Sequence, residues 1–242
     1  MQKKVWYILG IVAACLWMPA LLLSCVQWRA YDDLDYFAKE YAKYDVLTDV
    51  GMEMEELLYV TEEMMAYLKD ERDTLQVTAV IDGREQPFFS EKEIRHMVDV
   101  KNLFLSGTQI RNGCALLAAA LSILLLWRKQ GRILLRSLQM GIGLFFAACM
   151  VFVGLMLTDF TKYFTQFHLL FFDNDDWILD ARVDRLINIV PEGFFMDTAL
   201  WIGGAFLVIC VGLLAGAGLL LRKGRKGVTE SLDEKNGSVE LH

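Results

Sequence analysis

Residues 164–197 read FTQFHLLFFDNDDWILDARVDRLINIVPEGFFMD, and this stretch decides how the rest of the chain is interpreted. It combines one histidine, His168, with a dense acidic cluster and many aromatic residues, and it lies between two long apolar segments. Aromatic and charged residues in such a position are typical of the boundary between a membrane and water. The stretch therefore predicts a loop at a membrane surface.

The composition agrees with a membrane protein. Of the 242 residues, 55% are hydrophobic, and the net charge of −7 is spread unevenly. The five cysteines lie in or at the ends of apolar segments without a CxxC pair, so we interpret them as small buried residues and not as metal ligands, disulfides or nucleophiles. The sequence has no phosphate-binding glycine loop, GxSxG, HExxH or zinc pattern, and no nucleic-acid partner is expected.

Four segments are long and apolar enough to cross a bilayer, which requires about 20 residues. They are 5–27, 113–127 extended back toward Leu103, 137–158 and 198–221. Basic residues, which accumulate on the cytoplasmic side, occur before the first span, between the second and third, and after the fourth. Both termini are therefore expected in the cytoplasm, and both acidic loops, with His96 and His168, are expected outside.

These spans divide the chain into six predicted parts. They are 1–28 for the N-terminus and first span, 29–104 for an extracytoplasmic cap, 105–158 for the second and third spans with a short basic turn, 159–197 for the second outer loop, 198–221 for the fourth span, and 222–242 for a basic then polar tail, disordered from Gly227.

The first span permits another interpretation. Leu22-Leu23-Ser24-Cys25 follows a basic N-terminus and an apolar run, and it resembles a lipoprotein signal with a lipid-attachment cysteine. The run is long enough to span a membrane, however, and it continues into Gln27 and Trp28, as expected for an interface. We therefore favour a membrane helix.

The first outer loop is long enough to fold. Residues 32–44 and 52–73 have apolar side chains at helical spacing, residues 75–81 are rich in β-branched side chains, and Asp82-Gly83 is a strong turn signal. The predicted fold class is a mainly α membrane protein with four transmembrane helices, an extracytoplasmic cap of helices and a short β element.

Ser90-x-x-Glu93 is a capping box, which predicts the start of a helix. This helix carries His96 and Asp99 three residues apart on one face, where a carboxylate is able to orient an imidazole. A straight helix would place His96 about 45 Å above the end of the second span, so a break is expected near Gly107.

Arg111 lies about 24 Å above the end of the same span, near the outer interface. A charge in a membrane segment is a functional candidate, but at this height a long side chain can also reach the interface as an anchor, which we favour.

The second outer loop is more charged than a turn requires. Its segment DNDDW at 173–177 resembles part of a calcium loop, but the glycine and the distant glutamate of that motif are absent, and no metal is expected. Residues 182–189 predict a short amphipathic helix with Leu186, Ile187 and Ile189 inward, ended by Pro191.

We interpret His96 and His168 as meeting at the outer face of the membrane bundle, where two histidines can exchange protons with a substrate near neutral pH. Acyl transfer from an ester to an amine requires a base for the amine proton, and a donor that stabilises the oxyanion or protonates the leaving alkoxide. Two imidazoles meet this demand when the substrate carries its own nucleophile. The residues alone leave open that local hydrogen bonds satisfy both histidines.

Three blocks carry a family resemblance: EKEIRHMVDVK at 91–101, FHLLFFDNDDWIL at 167–179 and DRLINIVPEGFF at 184–195. In this order and spacing the chain resembles the small four-span bacterial membrane proteins that include the lipoprotein intramolecular transacylase Lit. The resemblance extends from the first span to the fourth. A proline is common in the family near the position of Ala181, so the local shape of this loop is left open.

The resemblance implies transfer of an acyl chain from the glycerol of a diacylglyceryl-modified lipoprotein to the α-amine of its modified cysteine, without cofactor or metal. The family's two essential histidines match His96 and His168. We expect His168 to be the base and His96, held by Asp99, to act at the ester, with the reverse assignment open. Candidates for supporting or substrate-binding roles are Asp99, Arg111, Asn174, Asp175 and Trp177. The implied partners are the lipoprotein and membrane lipid, at the outer leaflet of a bacterial cytoplasmic membrane, and the oligomeric state is not indicated.

Two other classes of function remain. A transporter would place acidic residues inside the membrane, and none is found there. A non-enzymatic envelope protein would bind a partner through the acidic outer loops, and its histidines would be dispensable.

Overall fold

The computed structural model describes residues 2–30 and 33–239 and is mainly helical. Its elements are α1 Gln2–Ala30, α2 Leu34–Lys43, α3 Val46–Val50, α4 Met54–Leu68, β1 Thr78–Ile81, β2 Arg84–Pro87, α5 Glu91–Trp127, α6 Gly131–Thr158, α7 Phe160–Phe171, α8 Leu186–Ile189 and α9 Glu192–Val239. The two strands pair antiparallel.

Four of these helices, α1, α5, α6 and α9, are long and apolar enough to cross a membrane within the described ranges, which confirms the predicted number of spans. At most a third of the side chains in their apolar stretches are buried, and in α6 only 6% are. Apolar side chains without a protein partner need a nonaqueous solvent, which lipid supplies.

The chain forms two compact units. The first contains residues 1–21, 112–152 and 205–242. In it α1 and α6 approach closely through small residues: a Cβ atom on Gly10 would lie 2.6 Å from Ser137 Oγ, and one on Gly141 would lie 2.7 Å from Ala14 Cβ. Such pairs allow helix backbones to pack tightly in a membrane.

The second unit contains residues 22–111 and 153–204 and has a conventional hydrophobic core. Side chains from α2, α4, the strands and α8 form this core, with Tyr41, Leu57, Val60, Phe88 and Ile189 fully buried. The predicted cap helices are found as α2 and α4. The start expected at Asp32 lies outside the described residues.

The predicted hairpin is confirmed. Asp82 and Gly83 both have positive φ angles, 51° and 72°, as a two-residue turn of this kind requires. Gly51, with φ +67°, packs beneath the turn, and a Cβ atom there would lie 2.4 Å from Asp82 Oδ1. Glycine is therefore required at position 51 by both conformation and space.

The predicted break near Gly107 is wrong, because α5 is one continuous helix of 37 residues. The prediction assumed that a helix beyond the thickness of a bilayer must bend. Instead, the first turns of α5 remain helical because Ile94, Met97, Val100 and Phe104 pack on the hydrophobic core of the second unit.

Two further expectations differ from the structure. The helix predicted over 182–189 is reduced to α8, and Ile187 is exposed, because the carboxylate of Asp184 accepts the Asp180 N–H and fixes the preceding residues as a turn. The tail predicted to be disordered from Gly227 is helical to Val239, since a helix that extends an existing span needs no new nucleus. Residues 240–242, with His242, lie outside the described range.

Candidate active site

His96 is placed by the start of α5. The Ser90 N–H donates to Glu93 Oε2 at 2.6 Å and the Glu93 N–H donates to Ser90 Oγ at 3.2 Å, which confirms the predicted capping box. Glu93 Oε1 also accepts the Leu186 N–H at 2.5 Å, a contact that the sequence did not indicate. One buried carboxylate therefore joins the helix of His96 to α8.

His168 is placed by α7, whose first turn is capped by Asp159, with the Lys162 N–H donating to Asp159 Oδ1 at 3.0 Å. The histidine is buried, whereas its neighbours Leu169, Leu170 and Phe171 are exposed. The helix thus turns an apolar face outward and its histidine inward.

The two histidines meet. Their ring centroids are 6.0 Å apart with an interplanar angle of 34°, and both residues are only 7% exposed. The ring of Phe172 lies 5.3 Å from His96 and 5.4 Å from His168. The sequence predicted that both histidines share one side of the membrane, and the structure brings them into one buried site.

A backbone contact fixes the tautomer of His168. Its Nδ1 atom lies 2.8 Å from the carbonyl oxygen of Phe164. Because a carbonyl only accepts, Nδ1 carries the proton and Nε2 of the neutral ring carries the lone pair. Burial lowers the pKa of His168, and the bond to Phe164 opposes this shift. The ring is therefore a neutral base at physiological pH.

His96 is held differently. Its Nδ1 atom is buried without a hydrogen-bond partner among the described residues. Burial, reinforced by the neighbouring His168, lowers the pKa of His96 to about 4, against the opposing charges of Asp99 and Asp176. Asp99 does not hold the imidazole as expected, since its Oδ2 accepts from Asn174 Nδ2 at 2.8 Å. It acts on His96 through charge.

Trp177 completes an aromatic wall around His168. Its ring stacks on the imidazole with centroids 4.8 Å apart at 28°, while Phe164 lies 4.3 Å and Phe167 5.4 Å from the same imidazole. The Trp177 Nε1 atom is buried and, like His96 Nδ1, has no hydrogen-bond partner in the described part of the chain. Both unpaired polar atoms belong to this one site.

The acidic cluster around Trp177 braces the loop. Asp176 accepts two hydrogen bonds from Arg95, at 2.8 and 3.0 Å, and its backbone N–H donates to Asn174 Oδ1 at 3.0 Å. Over residues 2–30 and 33–239, no group of three His, Cys, Asp or Glu side chains is arranged to hold a metal ion. Arg95 was missed at the sequence level, although a basic residue beside a candidate histidine and an unpaired acidic cluster were both visible.

The other predicted site residues are dispersed. Asp175 is exposed and offers its backbone carbonyl to the Ile178 N–H at 3.1 Å. Arg111 lies about 22 Å along α5 from His96, donates to Gln27 and lines a separate cavity of about 460 Å³ with Lys69 and Thr108. The histidine site itself therefore consists of His96, His168 and Trp177, with Asp99 and Asn174 beside it.

Such a site is suited to moving a proton between two substrate atoms. It offers an oriented lone pair on His168, a second neutral imidazole whose tautomer is free, and an unused N–H donor on Trp177. Burial keeps competing water away from these groups.

Comparison with known proteins gives a consistent result. Residues 11–195 match the model of the family described as lipoprotein intramolecular transacylase Lit. Solved structures with the same fold include Lit from Bacillus cereus, at 22% identity and a TM-score of 0.78 over 93% of this chain and 99% of that chain. A variant of that protein with a histidine replaced by arginine matches at 21% identity and a TM-score of 0.76, over 93% and 96% of the two chains. No curated protein sequence matches this chain significantly.

Proposed function

The chain belongs to the lipoprotein intramolecular transacylase family Lit, and from this membership we propose that His96 and His168 carry out its acyl transfer. It is a multi-pass bacterial membrane protein and an acyltransferase. The substrate is a lipoprotein whose N-terminal cysteine carries a diacylglyceryl group. One acyl chain moves from the glyceryl oxygen to the α-amine of that cysteine, which leaves the lyso-form lipoprotein.

His168 is the base in this reaction. The amine nitrogen forms a bond to the ester carbonyl carbon, and His168 Nε2 accepts the amine proton because Nδ1 is already committed to Phe164. The bond between the carbonyl carbon and the glyceryl oxygen then breaks, and a proton passes to that oxygen. One proton leaves nitrogen and one reaches oxygen, and both rings return to their neutral forms when His168 passes the proton that it accepted to His96.

His96 acts on the ester side. A neutral imidazole with an unpaired buried nitrogen can donate through one ring nitrogen and accept through the other, which suits delivery of a proton to the leaving oxygen. The ring centroid distance of 6.0 Å is short enough for the neighbouring nitrogen and oxygen atoms of one substrate to contact both imidazoles.

The substrate reaches this site from lipid. On α7, the apolar side chains of Phe167, Leu169, Leu170 and Phe171 are exposed around the buried His168, and such a face binds the acyl region of a membrane. By the distribution of basic residues, both termini are cytoplasmic and the histidine site lies at the outer leaflet.

The remaining residues support this site. Asp99 and Asn174 link α5 to the loop that carries Trp177, and Asp175 continues that loop at the surface. Arg111 belongs to the separate cavity, where a cation near the interface is suited to the polar part of a lipid. No step requires a cofactor.

The observation that carries the proposal is the facing pair of buried imidazoles, one with a fixed tautomer. The test is mass spectrometry of the N-terminal peptide of a reporter lipoprotein, in cells that lack their own N-acylating enzymes. Expression of the protein should shift one acyl chain to the cysteine amine, and His168→Asn should abolish the shift without loss of membrane insertion. An unchanged diacylglyceryl peptide despite expression would favour the alternative of a non-enzymatic binding protein.

A further inference from the structure

Trp177 is the only tryptophan whose ring nitrogen is buried without a partner among the described residues. An indole N–H always donates and never accepts. A buried donor left unpaired destabilises the folded protein, and an acceptor atom on a bound substrate would satisfy it. The ring stacks on His168, which places this donor beside the proposed base.

We propose that the Trp177 indole N–H donates a hydrogen bond to the ester carbonyl oxygen of the substrate and stabilises the oxyanion that forms there. This inference rests on the proposed function and deepens it. When the amine attacks, the carbon–oxygen double bond becomes a single bond and its electron pair moves onto oxygen. The pair returns when the bond to the glyceryl oxygen breaks, so Trp177 donates throughout and transfers no proton.

Fixed placement is what makes such a donor effective, because no reorganisation is needed as charge develops. Both residues next to Trp177 are tied to α5. Arg95 donates twice to the carboxylate of Asp176, and Lys92 donates to the carbonyl oxygen of Ile178. The donor is thus held by the same helix that carries His96.

The two histidines cannot easily fill this role. His168 Nδ1–H is already engaged with Phe164, and Nε2 must stay free to accept the amine proton. His96 has a proton to deliver to the leaving oxygen. A third group is required for the carbonyl oxygen, and within the described chain Trp177 Nε1 is the unpaired donor adjoining the pair.

The experiment compares Trp177→Phe with wild type in an assay with purified diacylglyceryl lipopeptide. Phenylalanine retains a ring to stack on His168 but has no N–H. We expect kcat to fall about 100-fold, as for loss of one oxyanion donor, with KM changed less than about threefold. Trp201→Phe, which alters a tryptophan packed on Trp28, is the matched control and should leave kcat unchanged.

An unreactive ether analogue, which has CH₂ in place of the carbonyl, should bind equally to both proteins because it has no carbonyl oxygen to accept from Trp177. Retention of kcat within threefold by Trp177→Phe, with loss in Trp177→Leu, would show that only the ring matters and would overturn the proposal. If Trp177→Phe does not insert, benzothienylalanine at position 177 preserves the shape without the N–H and decides the same question. The proposed function stands or falls separately, on whether His168→Asn is inactive.

Discussion

The Nδ1 proton of His168 is donated to the carbonyl oxygen of Phe164, one helical turn earlier, at 2.8 Å. The partner is backbone, so the tautomer of this histidine depends on helical geometry and not on another side chain. Many catalytic histidines rely on a carboxylate for this purpose. Here the backbone of helix α7 fixes the tautomer. The nearby carboxylates instead brace the loop that carries Trp177.

The pH dependence of kcat/KM should show one titrating group, the substrate amine, and not three. The pKa values of His96 and His168 are both lowered, so both rings are neutral at pH values where ordinary histidines, with a pKa near 6.5, would be protonated. The substrate amine, with a pKa of about 7.7–8.0, must lose its proton to attack. Near pH 7, log kcat/KM should therefore rise with a slope of about one. A slope approaching two would mean that a histidine titrates in the same range.

Glu93→Gln should destabilise the protein by about 2 kcal/mol. The carboxylate accepts the N–H groups of Ser90 and Leu186, whereas an amide has one acceptor oxygen, and a buried N–H without an acceptor costs roughly 1–3 kcal/mol. Thermal unfolding in detergent measures the effect. Glu91→Gln, at an exposed position in the same first turn, is the control and should cost under about 1 kcal/mol. Equal shifts in Tm would contradict the double role.

Gly51→Ala should destabilise the second unit more than Gly83→Ala. Both glycines have positive φ, so alanine costs about 1–2 kcal/mol at either position. Only at Gly51 does the new Cβ also meet a neighbour, Asp82 Oδ1 at 2.4 Å, while Gly83 faces open space. The difference in Tm between the two variants isolates the steric part, and indistinguishable values would argue against this packing.

Loss of the Arg95 contact to Asp176 should reduce activity more than stability. The pair is partly exposed, and such pairs contribute little to the free energy of folding. It holds the loop of Trp177, however, and displacement of a catalytic group by about 1 Å can cost roughly 100-fold in rate. Arg95→Met should therefore lower kcat by about 10- to 100-fold.

Two comparisons sharpen this test. Arg182→Met breaks the Asp180 pair in the same loop, away from Trp177, and should leave kcat near wild type. Exchange of the charges in the double variant Arg95→Asp with Asp176→Arg should recover part of the lost rate. Failure of Arg95→Met to change kcat would show that the loop is fixed by other contacts.

Features set by local sequence were predictable. The capping box of Ser90 and Glu93, the turn at Asp82-Gly83 and the four spans follow from spacing within a few residues or from long apolar runs. The meeting of His96 and His168 was predicted, with support from the charge distribution that places both on one side of the membrane, but their burial in one aromatic site was not. The family resemblance added their joint role.

Contacts between distant residues were not predictable. Glu93 meets Leu186 and Arg95 meets Asp176 only after folding, and several acids near each position were equally available in the sequence. Asp99 was assigned to His96 because the two share a helix face. In the structure, the Asp99 carboxylate instead accepts a hydrogen bond from Asn174, which lies in another segment. The predicted break at Gly107 is wrong for a related reason, since packing of its first turns on the hydrophobic core keeps α5 helical.

The burial of both imidazoles also concerns exchange with solvent. Under the proposed reaction, the proton removed from the amine returns to the product on the glyceryl oxygen, and neither ring needs a proton from the bulk. Turnover should accordingly be insensitive to buffer concentration. In deuterated water, the reaction should use only the deuterons that have already exchanged into the substrate amine. The two imidazoles would thus carry one proton from the amine nitrogen to the glyceryl oxygen without taking a proton from water.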